Sequence, residues 1–203
     1  MSTYYPTFRF AWGETQPKSV YDWSTYKWSK GTYNSLTKYC TKSERGKDGY
    51  NGFCDNKTEL EPADDAATAS WGSDWRMPSL DQIKELLDNC SSQWTTQNGV
   101  NGRLFTGKRN GASLFLPAAG CSYDKLLGVG SVGCYWSRTL YSSDPCNAGN
   151  LYFHSVVVYW RDWNSFGRNF GKSVRAVCVS RNERSQSHSL LVGCQSIQRC
   201  AVP

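Results

Sequence analysis

The chain has 203 residues, 39% hydrophobic and 14% aromatic, with a formal charge of +6. That length suits one sizeable domain, burying roughly 70% of the surface its unfolded chain exposes. Lysines and arginines are scattered and form no continuous basic stripe, which argues against a nucleic-acid partner, and no apolar run of about 18 residues is present, which argues against membrane insertion.

The opening segment MSTYYPTFRF lacks the basic and apolar regions of a secretion signal. From Phe8 to Trp28, rings at a spacing of two (Phe8, Phe10, Trp12, then Tyr21, Trp23, Tyr26 and Trp28) predict short strands broken at Gly13 and Pro17. Residues 31–60 are polar and glycine-rich and read as a surface loop, least structured at KSERGKDGYNG. In Glu61–Ser70, a proline at the start, Asp64 and Asp65 in the first turn and four alanines predict a short helix. Ser79 followed by Gln82 forms a capping-box pattern, and Leu80, Ile83, Leu86 and Leu87 share one face, predicting a second helix that ends near Cys90. Strands are expected at Gln93–Thr96, Arg103–Thr106 and Ala112–Pro117, with turns at Asn98-Gly99 and Asn101-Gly102. Two early helices followed by many short strands indicate an α+β class, without alternating βαβ units. Residues 180–203, with one small apolar cluster, read as a flexible appended tail.

The most informative stretch is Gly133–Val179. Tyr135, Trp136, Leu151, Phe153, Trp160, Phe170, Val174 and Val177 form a strand framework punctuated by glycines. Between them stand His154, Ser155, Val156, Val157, Val158, Tyr159, Arg161, Asp162, Asn164, Ser165, Arg168 and Asn169, which mix apolar, acidic, basic and aromatic types with no shared chemistry. A catalytic pocket needs a few matched groups; this mixture suits a display surface. Tyr and Arg supply contact area and charge-assisted hydrogen bonds, so His154, Tyr159, Arg161, Asp162, Asn164, Ser165, Arg168 and Asn169 are the first candidates for ligand contact, with Val156 and Val158 among them. Arg138, Tyr141 and Tyr152 are second-line candidates; for Tyr135 and Tyr152 a core position is an equal alternative. Trp71, Trp75, Trp136, Trp160 and Trp163 offer faces for a sugar, against the simpler reading that they are core rings.

Nine cysteines (Cys40, Cys54, Cys90, Cys121, Cys134, Cys146, Cys178, Cys194 and Cys200) are an odd number, and no CxxC pair occurs. One or two disulfides are expected, Cys40 to Cys54 being the favoured local one, with no zinc site. Asp55, Asn56, Glu59, Glu61, Asp64 and Asp65 form an oxygen-rich cluster able to hold Ca²⁺, although helix capping accounts for it more simply. Arg175 reads as a structural ion-pair partner. With His154 and His188 as the only histidines, no Cys-His or Ser-His-Asp constellation is in sight, and no enzyme activity is expected.

The segments FAWGETQPKS (10–19), WSTYK (23–27), DNKTELEPADDAA (55–67), WGSDWRMPSLDQIKELLDNC (71–90), WTTQNGVNG (94–102), FLPAAG (115–120), YWSRT (135–139), NLYF (150–153) and SVRAV (173–177) carry a resemblance. In their order and length they resemble the Fibrobacter succinogenes major paralogous domain family, abundant in gut Bacteroidetes. The resemblance implies a C-type-lectin-like fold of the formylglycine-generating-enzyme subgroup: two helices on a twisted, mainly antiparallel sheet with long loops. It spans most of residues 8–179, within an expected single domain of residues 1–179, and leaves the 180–203 tail outside. Such domains are similar to the variable proteins of diversity-generating retroelements, including phage tropism determinants, in which Asn codons are altered at adenines. The mixed positions of 154–169 are all residues reachable from such codons; Trp160 and Trp163, between them, are not and would be fixed scaffold. The implied function is binding of a protein or glycan on another cell or virion surface through residues of about 138–172, in an extracellular, cell-surface or virion-associated setting. The alternative is a cell-surface adhesin or carbohydrate-binding module with a fixed ligand.

Overall fold

The computed structural model describes residues 8–46, 52–161 and 167–179, and not the side chain of Arg161. In chain order these residues give β1 (Arg9–Phe10), 3-10 turns at Ser43–Arg45 and Pro62–Asp64, α1 (Ala66–Trp71), β2 (Trp75–Arg76), α2 (Leu80–Asn89) and β3 (Cys90–Gln97). They continue with β4 (Val100–Gly107), β5 (Ser113–Pro117), β6 (Cys121–Ser122), β7 (Leu126–Leu127), β8 (Gly133–Leu140) and β9 (Ala148–Phe153). The last three strands are β10 (Val158–Arg161), β11 (Lys172–Ser173) and β12 (Val177–Cys178). The described fold is mixed α+β, dominated by sheet, with two α-helices. None of its helices is long and apolar enough to cross a membrane. The 180–203 tail lies outside the described residues.

The central sheet has the order β1-β11-β8-β9-β10, antiparallel except where β11 meets β8. Side chains alternate across it, so each face builds its own core. On one face Tyr135, Leu151 and Phe153 pack with Ile83 and Leu86 of α2 and with Phe105 and Leu116 of the β3-β4-β5 sheet. On the other, Trp136 and Ala148 pack with Phe10, Trp12, Tyr39, Leu60, Ala66 and Met77. Gly133 faces Phe153 across the β8–β9 ladder, where an added Cβ would fall 2.0 Å from the ring's Cζ. Gly133→Ala should therefore destabilise the chain by about 1–3 kcal/mol, seen as a lower urea midpoint; a wild-type midpoint would refute the close packing.

α2 forms as the sequence predicts. The Ser79 hydroxyl accepts from the Gln82 N–H, the Gln82 side chain accepts from the Ser79 N–H, and Leu80, Ile83 and Leu86 are buried. α1 is shorter than expected, because Pro62–Asp64 forms a separate 3-10 turn and Asp65 is its N-cap. Asp65 is almost fully buried, and its carboxylate accepts from the N–H groups of Ala67, Thr68 and Met77. Burial raises its pKa against the lowering effect of those bonds.

Three expectations are corrected. Asn98-Gly99 is the β3–β4 turn, with Asn98 at φ 50° and Gly99 at 77°, but Asn101-Gly102 lies inside β4, opposite Thr96 and Thr95. The period-two rings of 21–28 do not form strands. Tyr21 and Tyr26 donate their hydroxyls to the carbonyls of Arg9 and Trp12, and the Trp28 indole donates to Gly13, so these rings fold back onto the β1 segment. Within 31–60, Leu36, Tyr39 and Cys40 are wholly buried, so this polar stretch contributes to the core.

Candidate ligand-binding surface

The β9–β10 hairpin carries the densest group of candidates. Its register pairs Tyr152 with Tyr159 and Phe153 with Val158. Cross-strand partners share a face, so the two tyrosines lie opposite the Phe153 core. Their rings stack with centroids 5.2 Å apart, and His154 meets Tyr152 edge-on at 6.0 Å. All three are half-buried, while Ser155 and Val156 at the tip are exposed, Val156 to 78%.

The tip is braced from behind. The His154 N–H donates to the Val157 carbonyl at 3.0 Å, closing the connection, and the Val156 N–H donates to His154 Nδ1 at 3.2 Å. Arg103, from β4, donates Nη1 to the carbonyls of both His154 (2.7 Å) and Val157 (3.0 Å), and its Nε to Ser92 Oγ. This nearly buried guanidinium has its pKa lowered by burial. Sequence reasoning missed it: nothing around Arg103 in β4 marks a residue that clamps a turn some fifty positions later.

Tyr152, His154, Val156 and Tyr159 are thus brought together. Val158 is not part of this surface; it packs on the Phe153 core, as its register with Phe153 requires. Arg161 pairs with Asn150 through the ladder, and Asp162, Asn164 and Ser165 lie outside the described residues. Arg138, near the end of β8, and Tyr141, just beyond it, stand roughly 17 Å along the sheet from the hairpin tip. Arg138 donates to Glu59 at 2.6 Å, to the Met77 carbonyl and to Gln82 Oε1, tying β8 to the start of α2. Tyr141 is half-buried in the β8–β9 connection.

Arg168 and Asn169 overturn the expectation of exposure, since both are 0% exposed. Arg168 donates Nη1 to the Tyr39 carbonyl at 2.7 Å and Nη2 to that of Lys38 at 2.6 Å, with its guanidinium over the rings of Trp12 and Tyr26. It is a buried clamp that holds segment 38–39 against the sheet. Among the tryptophans, Trp136 is fully buried, Trp71 is exposed, and Trp163 lies outside the described residues. Trp160 is 37% exposed on the α2 side, with Lys84 Nζ 4.6 Å from its ring centre.

The acidic cluster is divided among protein partners. Asp55 accepts from the N–H groups of Tyr39 and Cys40, and Asp64 from Lys38 and the Tyr39 hydroxyl. Glu59 binds Arg138 and Thr139. Glu61 is drawn down to about 2 by hydrogen bonds from Lys38 and Lys57. Among the described residues, no three His, Cys, Asp or Glu side chains are grouped to hold a metal ion. The Cys40 and Cys54 sulfurs are 4.0 Å apart and unbonded, so the favoured disulfide is not formed.

No protein-family model, curated protein or solved structure matches the chain.

Proposed function

We propose that this chain is a ligand-binding display domain of C-type-lectin-like architecture, not an enzyme, and that it is the hypervariable target protein of a diversity-generating retroelement. The supporting observation is the β9–β10 tip: Tyr152, His154, Val156 and Tyr159 face away from a core of fully buried rings, on a turn clamped by Arg103. Surface substitutions usually change stability by no more than about 0.5 kcal/mol, so such a tip tolerates many side chains while its backbone stays in place. The ligand is a protein or glycan on another cell or virion surface. The resemblance in motif order supports the fold and the retroelement reading.

The experiment is a binding screen of the wild-type chain against a glycan array and candidate surface proteins, repeated with Tyr152→Ala/Tyr159→Ala. Affinity for the captured ligand should fall at least about 30-fold, the effect of losing an aromatic hot spot worth about 2 kcal/mol, with the fold retained by circular dichroism. Undiminished affinity in the double variant would refute the surface. In the genome, a near-identical repeat of the 133–179 coding segment beside a reverse transcriptase, differing almost only at adenines, is expected. Its absence would favour the second reading, an adhesin or carbohydrate-binding module with a fixed ligand.

A further inference from the structure

Cys121 and Cys134 are thirteen positions apart in sequence yet lie side by side. A parallel bridge joins Gly120 to Gly133, aligning the residues that follow each glycine. Gly120 is required there: it adopts φ 72°, and a Cβ would lie 2.2 Å from the Leu127 carbonyl oxygen. Bridged strands run about 4.8 Å apart, inside the roughly 4.4–6.8 Å Cα separation that a disulfide spans. Both thiols are nearly withdrawn from water, Cys121 at 5% exposure and Cys134 at 0%.

The surroundings of this pair favour a thiolate. The neighbouring Cys134 side chain lowers the pKa of Cys121 most, and the positive charges of Lys172 and Arg9 add to it, together outweighing burial. Lys172 is itself fully buried, its ammonium 3.8 Å from the centre of the Trp136 ring, and Arg9 is held in place by donating to the Ala119 carbonyl. The Cys40–Cys54 pair is tuned the other way, for burial pushes Cys40 up to about 11. Since the thiolate is the reactive form, the two pairs differ in chemistry although both set two cysteines side by side.

We propose that Cys121 and Cys134 are a peroxide-sensing pair that oxidises reversibly to a disulfide joining β6 to β8. The Cys121 thiolate attacks one oxygen of hydrogen peroxide; the O–O bond breaks, Cys121 becomes a sulfenic acid, and the departing hydroxide takes a proton to become water. The Cys134 sulfur then attacks the Cys121 sulfur; the S–O bond breaks, the S–S bond forms, and the hydroxyl leaves with the Cys134 proton as a second water. Two thiols lose two electrons and one peroxide is reduced to two waters. A small oxidant suits a site this closed, and β6 and β7 are two-residue strands whose local opening admits it.

The test treats the reduced full-length chain with hydrogen peroxide at low molar excess. Remaining thiols are then alkylated under denaturing conditions, and disulfide-linked peptides are mapped by mass spectrometry. A Cys121–Cys134 link should form at least about tenfold faster than any Cys40–Cys54 link, because the thiolate is the reacting form, and dithiothreitol should reverse it. In Cys134→Ser, dimedone should label Cys121 as a trapped sulfenic acid. Full alkylation of both residues while other cysteines oxidise, or faster closure of Cys40–Cys54, would overturn the proposal, and both are read on the wild-type chain without any variant.

Discussion

Replacing Trp136 with alanine should cost about 3–5 kcal/mol of folding free energy, among the largest effects expected of any single substitution in this chain. The ring is fully buried in β8 and packs with Phe10, Tyr39, Met77, Leu140 and Ala148. Its indole N–H donates to the Phe10 carbonyl at 2.9 Å, joining the central strand to β1. Its face supports the buried Lys172 ammonium, an arrangement worth about 2 kcal/mol when water is excluded. Truncation removes all three at once. Trp136→Phe keeps most of the packing and loses the N–H, so a cost of about 1–2 kcal/mol is expected for that hydrogen bond. Urea denaturation followed by tryptophan fluorescence and circular dichroism measures both. A loss below about 1 kcal/mol for the alanine variant would contradict the reading of Trp136 as the ring on which the β1 side of the core is assembled.

Arg168→Met should lower stability by at least about 3 kcal/mol, since each hydrogen bond from a charged donor contributes about 1.5–3 kcal/mol. The methionine fills much of the same volume but leaves the Tyr39 and Lys38 carbonyls without their donors. For a chain of this size the melting temperature should fall by roughly 6–12 °C. Arg168→Lys should fall between wild type and Arg168→Met, because an ammonium is a point charge and lacks the planar fork that reaches two carbonyls together. Were Arg168 instead a ligand contact, as its setting among mixed polar residues suggests, the methionine variant would melt like wild type and lose only binding. Differential scanning calorimetry distinguishes the two.

What the sequence revealed and what it hid follow one physical division. α2 was legible because its signals are local: the Ser79–Gln82 box and a hydrophobic stripe at helical spacing determine it within a dozen residues. Asn98-Gly99 was legible as a turn for the same reason, while the similar Asn101-Gly102 was misread. Gly102 lies where the Leu116 carbonyl oxygen would be 2.4 Å from a Cβ, so its glycine serves strand packing, a demand made by a segment fourteen residues away. The rings of 21–28 imitate strand alternation, yet their spacing reflects hydrogen bonds to the backbone of residues 9–13. At the candidate surface, Tyr152, His154, Val156 and Tyr159 could be picked out because they stand beside an alternating framework. Arg168 and Asn169 could not be separated from them. Polarity alone predicts exposure, and the carbonyls that receive the Arg168 guanidinium come from positions about 130 residues earlier.

The short link from Phe153 to Val158 carries a rule about what can change at the hairpin tip. Four residues bring β10 back so that Val158 turns inward with Phe153 and Tyr159 turns outward with Tyr152. Any side chain placed at 155 or 156 leaves that parity untouched. A single inserted or deleted residue would reverse it if the ladder re-formed one step out of phase, sending Val158 toward water and a tyrosine into an interior already occupied by Phe105 and Leu116. The tip is therefore permissive in spelling and strict in length.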